Sequence, residues 1–425
     1  MGIKEANIYL DNQWNTYYAG QTVNGRIEYV FDSPKKVRGI HVKFKGEAHT
    51  EWSESKQEED SQGKSQSSDT LHTGNEEYFQ ISYYLLGNNS GGEIEIPAGK
   101  QVYNFTCALP PVLPSSFEGE YGYVRYTIKV VLDRPWKFDQ ETKMAFTIIN
   151  TLDLNLNPSY KEPIHFQMEK TFCCFCCASL PLSVDVRAPV SGYCPGQVIP
   201  LTVDIENKSN VQLHLVKVFL RKVVTYRTTS PSTAIKKCKD IIVTIQEGPV
   251  PAGITKQYLM NIEVPPMPPS NLVNCSIIDL DYDLKVVCAV SGMHLNLKDR
   301  KYVTIGTVPL VGMAGQTPSA PPLTSGDNSP AVLPVGPGQP AQPMAPTGSG
   351  EVPPGGWVVP GSVPAQPPFQ SLYPSLSEPV YKESNYSART IQDRNESSHM
   401  AITGPANFAP YYPTYAAVQP PPLPQ

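Results

Sequence analysis

Leu109-Pro110-Pro111-Val112-Leu113-Pro114-Ser115 and Val264-Pro265-Pro266-Met267-Pro268-Pro269-Ser270 are two copies of one passage. Upstream of each stands a second match, Ile96-Pro97-Ala98-Gly99 against Val250-Pro251-Ala252-Gly253. Downstream stands a third, Tyr126-Thr127-Ile128-Lys129-Val130-Val131 against Tyr282-Asp283-Leu284-Lys285-Val286-Val287. The offset drifts only from 154 to 156 residues across the three blocks, which marks a duplication rather than chance. Gly20-Gln21-Thr22-Val23 and Gly196-Gln197-Val198-Ile199 are a further echo, each leading into an alternating apolar run. The chain therefore holds two domains of one fold, each of ordinary domain size.

The periodicity around these blocks is two. Ile40, Val42 and Phe44 share one face of Gly39–Gly46, and Val124, Tyr126, Ile128 and Val130 share one face of the strand that contains them. Leu201–Ile205, Val216–Arg221 and Leu280–Val286 repeat the pattern in the second half. Prolines 110, 111 and 114 cannot donate to a ladder, so they are placed in a connection or at a sheet edge. No long amphipathic helix interrupts the strands. Many short strands with turn signals between them predict an all-β chain of two tandem β-sandwiches.

The expected domains are residues 1–155, a linker over 156–180, a second sandwich over 181–310, and a Pro-rich tail over 311–425. Residues 53–77 are almost without apolar side chains and are expected as a long exposed excursion between strands. More than half of the 44 prolines follow residue 310, and apolar residues there occur singly. Disorder with polyproline II segments is expected of that tail.

Composition limits the function. A formal charge of -5 and the lack of a basic stripe give no attraction to nucleic acid. No stretch approaches the roughly 18–20 apolar residues of a spanning helix, and Met1-Gly2-Ile3-Lys4-Glu5 has no signal-peptide core. Nine cysteines, an odd number, without a signal peptide fit reduced thiols in the cytosol. There is no His-Glu-x-x-His, P-loop, Gly-x-Gly-x-x-Gly turn or Gly-x-Ser-x-Gly elbow, so no catalytic mechanism and no cofactor is expected. Asp279, Asp281 and Asp283 imitate the opening of a calcium loop, but Leu284 stands where that loop needs glycine. On a strand they are expected to form a solvated face.

Leu113-Pro114-Ser115-Ser116-Phe117-Glu118-Gly119, Val124-Arg125-Tyr126, Arg134-Pro135-Trp136 and Pro195-Gly196-Gln197 together resemble the arrestin-domain-containing proteins, or α-arrestins. Cys173-Cys174-Phe175-Cys176-Cys177, between the halves, and Ile305-Gly306-Thr307-Val308-Pro309-Leu310 add to the resemblance, which covers roughly residues 5–310. It implies two arrestin-type, immunoglobulin-like sandwiches in tandem. It further implies a cytoplasmic adaptor, not an enzyme, that engages membrane cargo (receptors or transporters) at the plasma membrane and endosomes. A Pro-rich tail in such proteins recruits WW-domain HECT ubiquitin ligases. The tail here departs from that pattern in one respect: it has no Pro-Pro-x-Tyr, since Pro367-Pro368 is followed by Tyr373 too late. The resemblance also suggests an alternative, a scaffold that sequesters a soluble signalling or redox protein through Cys194 or the Cys173–Cys177 cluster.

Three candidate sites follow. Pro420, Pro421, Pro422, Leu423 and Pro424 resemble a Pro-Pro-Leu-Pro ligand for an aromatic-lined WW groove, with the polyproline II helix already favoured by the prolines. Tyr373-Pro374-Ser375-Leu376 has the Tyr-x-x-apolar form read by endocytic adaptors. Cys173, Cys174, Cys176 and Cys177 are candidates for acylation, weighed against inter-domain packing and against metal binding, for which paired spacing is missing.

Overall fold

The computed structural model describes residues 3–59, 65–88, 91–174 and 177–312, and in the C-terminal region 367, 369–386, 388–392, 396, 400–405 and 407–415. In the first domain a sheet in the order Ile3–Leu10, Thr22–Phe31, Gly99–Ala108 faces a larger one. The larger sheet runs Thr16–Tyr18, Gln140–Ile149, Gly122–Asp133, Gly39–Glu59, Ser65–Gly87. The second domain repeats the arrangement. Its sheets run Ile164–Lys170, Leu182–Ala188, Val198–Asn207, Thr255–Glu263, and Gly192–Tyr193, Leu297–Ile305, Ile278–Val290, Leu213–Thr228, Ala234–Glu247. Alternating residues of each strand fill the cores: Val124, Tyr126, Ile128 and Val130 are fully buried, as are Leu280, Tyr282, Leu284 and Val286.

The duplicated passages perform the same structural task in both domains. Each is a connection without regular structure, whose proline carbonyl meets a core tyrosine. Tyr126 Oη donates to Pro114 O at 2.6 Å, and Tyr282 Oη donates to Pro268 O at 2.8 Å. A serine at the end of the second passage and one just past the end of the first then accept from the closing strand: Ile305 N–H donates to Ser270 Oγ and Ile148 N–H to Ser116 Oγ, both at 2.9 Å. The Gly-Gln echo is also explained. Gly20 and Gly196 have φ of 84° and 85°, a left-handed turn that glycine adopts without a Cβ penalty. The glutamine after each accepts a backbone N–H, from Tyr18 and from Cys194, at 2.8 Å in both cases.

Three segments differ from expectation. Of residues 53–77, expected as an exposed excursion, the described 53–59 and 65–77 continue one long hairpin, Gly39–Glu59 paired with Ser65–Gly87. Backbone ladders need no apolar side chain, and the polar arms are held by the second domain. Thr73 N–H donates to Ser230 O at 2.8 Å, and Thr50 Oγ1 donates to Arg227 O at 2.7 Å. Within 156–180, Ile164–Lys170 is an edge strand of the second sandwich, with Ile164, Phe166 and Met168 buried at period two. Within the tail expected from 311 onward, the described residues alone supply the third difference. Its apolar residues are too sparse for a core of their own, yet Phe369, Leu376, Ile391, Phe408, Tyr412 and Tyr415 are buried against the two domains.

Candidate interaction site

The described C-terminal residues form a strap across both sandwiches. Phe369 and Leu376 pack with Tyr18 and Ile149 of the first domain and Val308 of the second. Tyr373 donates to Asp153 Oδ2 at 2.7 Å, and the hydroxyls of Tyr18 and Tyr381 lie 3.0 Å apart. Val380–Glu383 and Tyr411–Thr414 pair with each other antiparallel, so the strap supports its own return path. Ala401–Ile402 adds to Thr142–Lys143 in parallel, extending the large sheet. Two tyrosines anchor the end: Tyr412 Oη donates to Ser116 O at 2.9 Å, and Tyr415 Oη to Thr307 O at 2.6 Å. Burial pushes both phenols above their ordinary range, so they remain neutral donors.

Charge pairs complete the seat. Lys143 Nζ, itself buried, donates to Ile391 O at 2.8 Å and meets Glu396 at 2.9 Å, and Lys129 reaches Glu396 at 3.3 Å. Arg389 donates to Gly119 O at 2.9 Å. Beneath it Glu118 lies buried against Arg125, which makes two hydrogen bonds of 2.8 Å to the carboxylate. Burial raises the Glu118 carboxyl, and the Arg125 fork opposes that shift. The strap also walls an open groove of about 850 Å³ on the outer face of the large sheet. Lys45, His49, Tyr123 and Arg125 line it from the sheet, and Arg389 and Glu396 from the strap. Mixed charge, aromatic faces and a peptide wall suit such a groove to a polypeptide rather than to a small apolar ligand.

Of the candidate site residues, Tyr373 and Leu376 are placed within this seat, where Leu376 is buried and Tyr373 is tied to Asp153. Pro420, Pro421, Pro422, Leu423 and Pro424 lie outside the described residues, as does Cys176. Cys173–Cys174 and Cys177–Ala178 pair as a short hairpin. Among the described residues no group of three or more His, Cys, Asp or Glu is arranged to hold a metal. Cys194 is fully buried and its thiol is pushed well up, mainly by that burial. A sequestering disulfide through Cys194 would have to open the core first.

The aspartate series is not the solvated face expected of it. Asp283 is fully buried rather than solvated, and accepts two hydrogen bonds of 2.7 Å from Arg221. Arg300 approaches it at 3.6 Å. A charge is tolerated there because the fork satisfies both oxygens. The pairing partner lies 62 residues away, and the sequence pattern carries no sign of it.

Two sandwiches whose larger sheets follow the same five-strand order, bonded to each other through Thr73–Ser230 and Thr50–Arg227 and crossed by one strap, define the tandem arrestin class of β protein. The comparisons agree: the family description "Arrestin (or S-antigen), N-terminal domain" matches residues 6–155, and its C-terminal counterpart matches 178–310. The chain belongs to the arrestin-domain-containing family. It is 28% identical to arrestin domain-containing protein 17 of Caenorhabditis elegans over 96% of this chain and 98% of that one. It is 28% identical to human arrestin domain-containing protein 4 over 81% and 80%. Human thioredoxin-interacting protein is 26% identical over 77% of this chain and 80% of its own length. Such homologues point to an adaptor or scaffold that works through partner proteins.

Proposed function

We propose that the protein is a cytoplasmic adaptor which links membrane cargo, receptors or transporters, to WW-domain HECT ubiquitin ligases and thence to endocytic and endosomal sorting. The observation that carries this reading is the strap. It holds the described C-terminal residues, the last of them Tyr415, on the sandwiches, and Pro420–Pro424 begins five positions further along the sequence. The polar groove beside it is the cargo surface in this reading. Tyr373 and Leu376 serve endocytic adaptors only after the strap lifts, because a Tyr-x-x-apolar signal binds as an extended strand with both side chains inserted. Acylation of Cys173, Cys174, Cys176 and Cys177 belongs to the same proposal, as an added membrane anchor.

The test is capture of the full chain by WW domains of HECT ligases, alongside P421A/P422A and a chain ending at Tyr415. The shortened chain keeps every described strap contact. Capture of the full chain and its loss in both variants supports the reading. Equal capture of all three moves the contact elsewhere, and no capture of the full chain ends the ligase part.

A second reading rests on the relative named thioredoxin-interacting protein: sequestration of a soluble redox or signalling partner. Since Cys194 is enclosed, the reading falls to the Cys173–Cys177 hairpin, and cysteine-to-serine changes there should abolish capture of a thioredoxin-like protein if it holds.

A further inference from the structure

The turn between Gly122–Asp133 and Gln140–Ile149 displays two aromatic side chains to solvent. Trp136 is 98% exposed and Phe138 86% exposed, with the exposed Lys137 between them. An exposed leucine is ordinary on a protein surface, but a bare Trp and a bare Phe on one tip are not.

The tip is built rather than loose. Arg134 directs its guanidinium onto Phe138 O, with Nε at 3.0 Å, and its backbone N–H donates to Asp139 Oδ1 at 3.2 Å. At the base Arg38 closes on Asp133 at 2.6 Å. Pro135 fixes its own φ, and Trp136 follows with φ of 61°, a left-handed conformation that a bulky residue rarely adopts. This strained backbone is held by the Arg134 contacts, and its result is to turn the indole outward. Both carboxylates of the tip are engaged, Asp133 by Arg38 and Asp139 by the Arg134 N–H, while Lys137 has no ion pair among the described residues.

The position of the tip matters as much as its chemistry. The strand that leads to it starts at the domain junction, where a Cβ on Gly122 would meet Ile278 at 3.2 Å. Eleven steps of strand at about 3.4 Å each then carry the turn nearly 40 Å away from the junction. It is the far end of the hairpin from the junction, and it projects past the strap, whose strand Ala401–Ile402 pairs with Thr142–Lys143 a few residues beyond the turn.

We propose that this turn is a membrane-contact tip, which inserts Trp136 and Phe138 into the lipid–water interface and sets Lys137 against anionic headgroups. A protruding tip offers no concave surface for a protein partner to fill. Indole and phenyl rings flanking a cation match the boundary of a bilayer, where aromatic rings settle at headgroup depth and a basic side chain gains from the negative surface potential. Two rings and one lysine give weak, reversible binding, which suits a protein that must leave one membrane for another. The proposal concerns lipid alone, so it stands or falls apart from the ligase reading.

The experiment uses the purified full chain with vesicles of phosphatidylcholine containing about 30% phosphatidylserine, free of cargo and ligase. Co-sedimentation gives the partition coefficient, and brominated lipids report the depth of tryptophan by quenching. The wild type is expected to partition, with tryptophan emission shifted to the blue and quenched by lipids brominated near the headgroup. W136S/F138S should reduce the partition coefficient at least about tenfold, with an unchanged melting temperature because neither ring packs on the fold. W136F should keep most of the binding and lose the shift and the quenching, which assigns the signal to residue 136 even though three other tryptophans are present. K137E should weaken binding only to vesicles that contain phosphatidylserine. Absence of wild-type partitioning overturns the proposal, and so does a double variant that binds like the wild type. A wild type that sediments as a dimer in buffer while the double variant is monomeric overturns it in favour of self-association.

Discussion

Truncating Tyr412 to alanine should release the strap without unfolding the sandwiches. Its ring is 1% exposed between Phe117, Lys222, Met267 and Pro268, so the contact joins the strap to both domains at once. Removing a buried aromatic side chain costs about 3–5 kcal/mol, of which the hydroxyl bond to Ser116 O accounts for about 1. At 1.4 kcal/mol per tenfold, the strap should open roughly 10²- to 4 × 10³-fold more often in the alanine variant. The conservative Y412F should raise opening only about fivefold, since it leaves the ring in place. Hydrogen exchange reads this directly. Amides of Tyr411–Thr414 and their partners Val380–Glu383 should lose protection together, while Val124–Val130 and Leu280–Val286 keep theirs. If the core strands lose protection in step with the strap, the strap belongs to the folding unit and is not a separable element. If strap protection is unchanged, Tyr412 is not its anchor.

Other consequences are simple to measure. Asp283→Asn should cost about 3–5 kcal/mol by leaving Arg221 without its buried partner, and a second change, Arg221→Met, should recover a large part of that loss in denaturant titrations. Tyr126→Phe and Tyr282→Phe should each cost about 1–2 kcal/mol in chemical denaturation, and by similar amounts, because each leaves a proline carbonyl without its donor. Stability should fall above about pH 9. Burial pushes the Cys288 thiol up to about 12 and Cys107 and Cys275 to about 11, from an ordinary value of 9.0. The unfolded chain therefore loses these protons first, stability is complete below pH 9 and declines above it. A melting temperature that stays level between pH 8 and 10.5 would contradict that assignment.

The duplication was legible because repeated structural tasks leave repeated letters. A proline carbonyl, a serine cap and a core tyrosine recur at nearly the same spacing, 12 residues from proline to tyrosine in one copy and 14 in the other, and a left-handed glycine recurs with its capping glutamine. Ile164–Lys170 also carried a readable signal, alternation at Ile164, Phe166 and Met168, even though its surroundings suggested a linker. The long hairpin was not readable. Its arms lack the apolar alternation that marks a half-buried strand, and their order comes from backbone pairing and from a neighbouring domain.

Sequence alone therefore determined the class of fold, the number of domains and the candidate motifs Tyr373–Leu376, Cys173–Cys177 and Pro420–Pro424. These depend on local period, turn chemistry and spacing, all of which act between near neighbours in the chain. Tertiary structure decided what those motifs meet: that Leu376 is buried against Val308, that Cys194 is enclosed, that Asp283 pairs with Arg221, and that Trp136 and Phe138 are left bare. The physical reason is common to all four. Burial and pairing are properties of surfaces brought together from distant positions. A residue such as Tyr412, sparse and isolated in its own Pro-rich segment, becomes an anchor only when two folded domains supply the pocket around it.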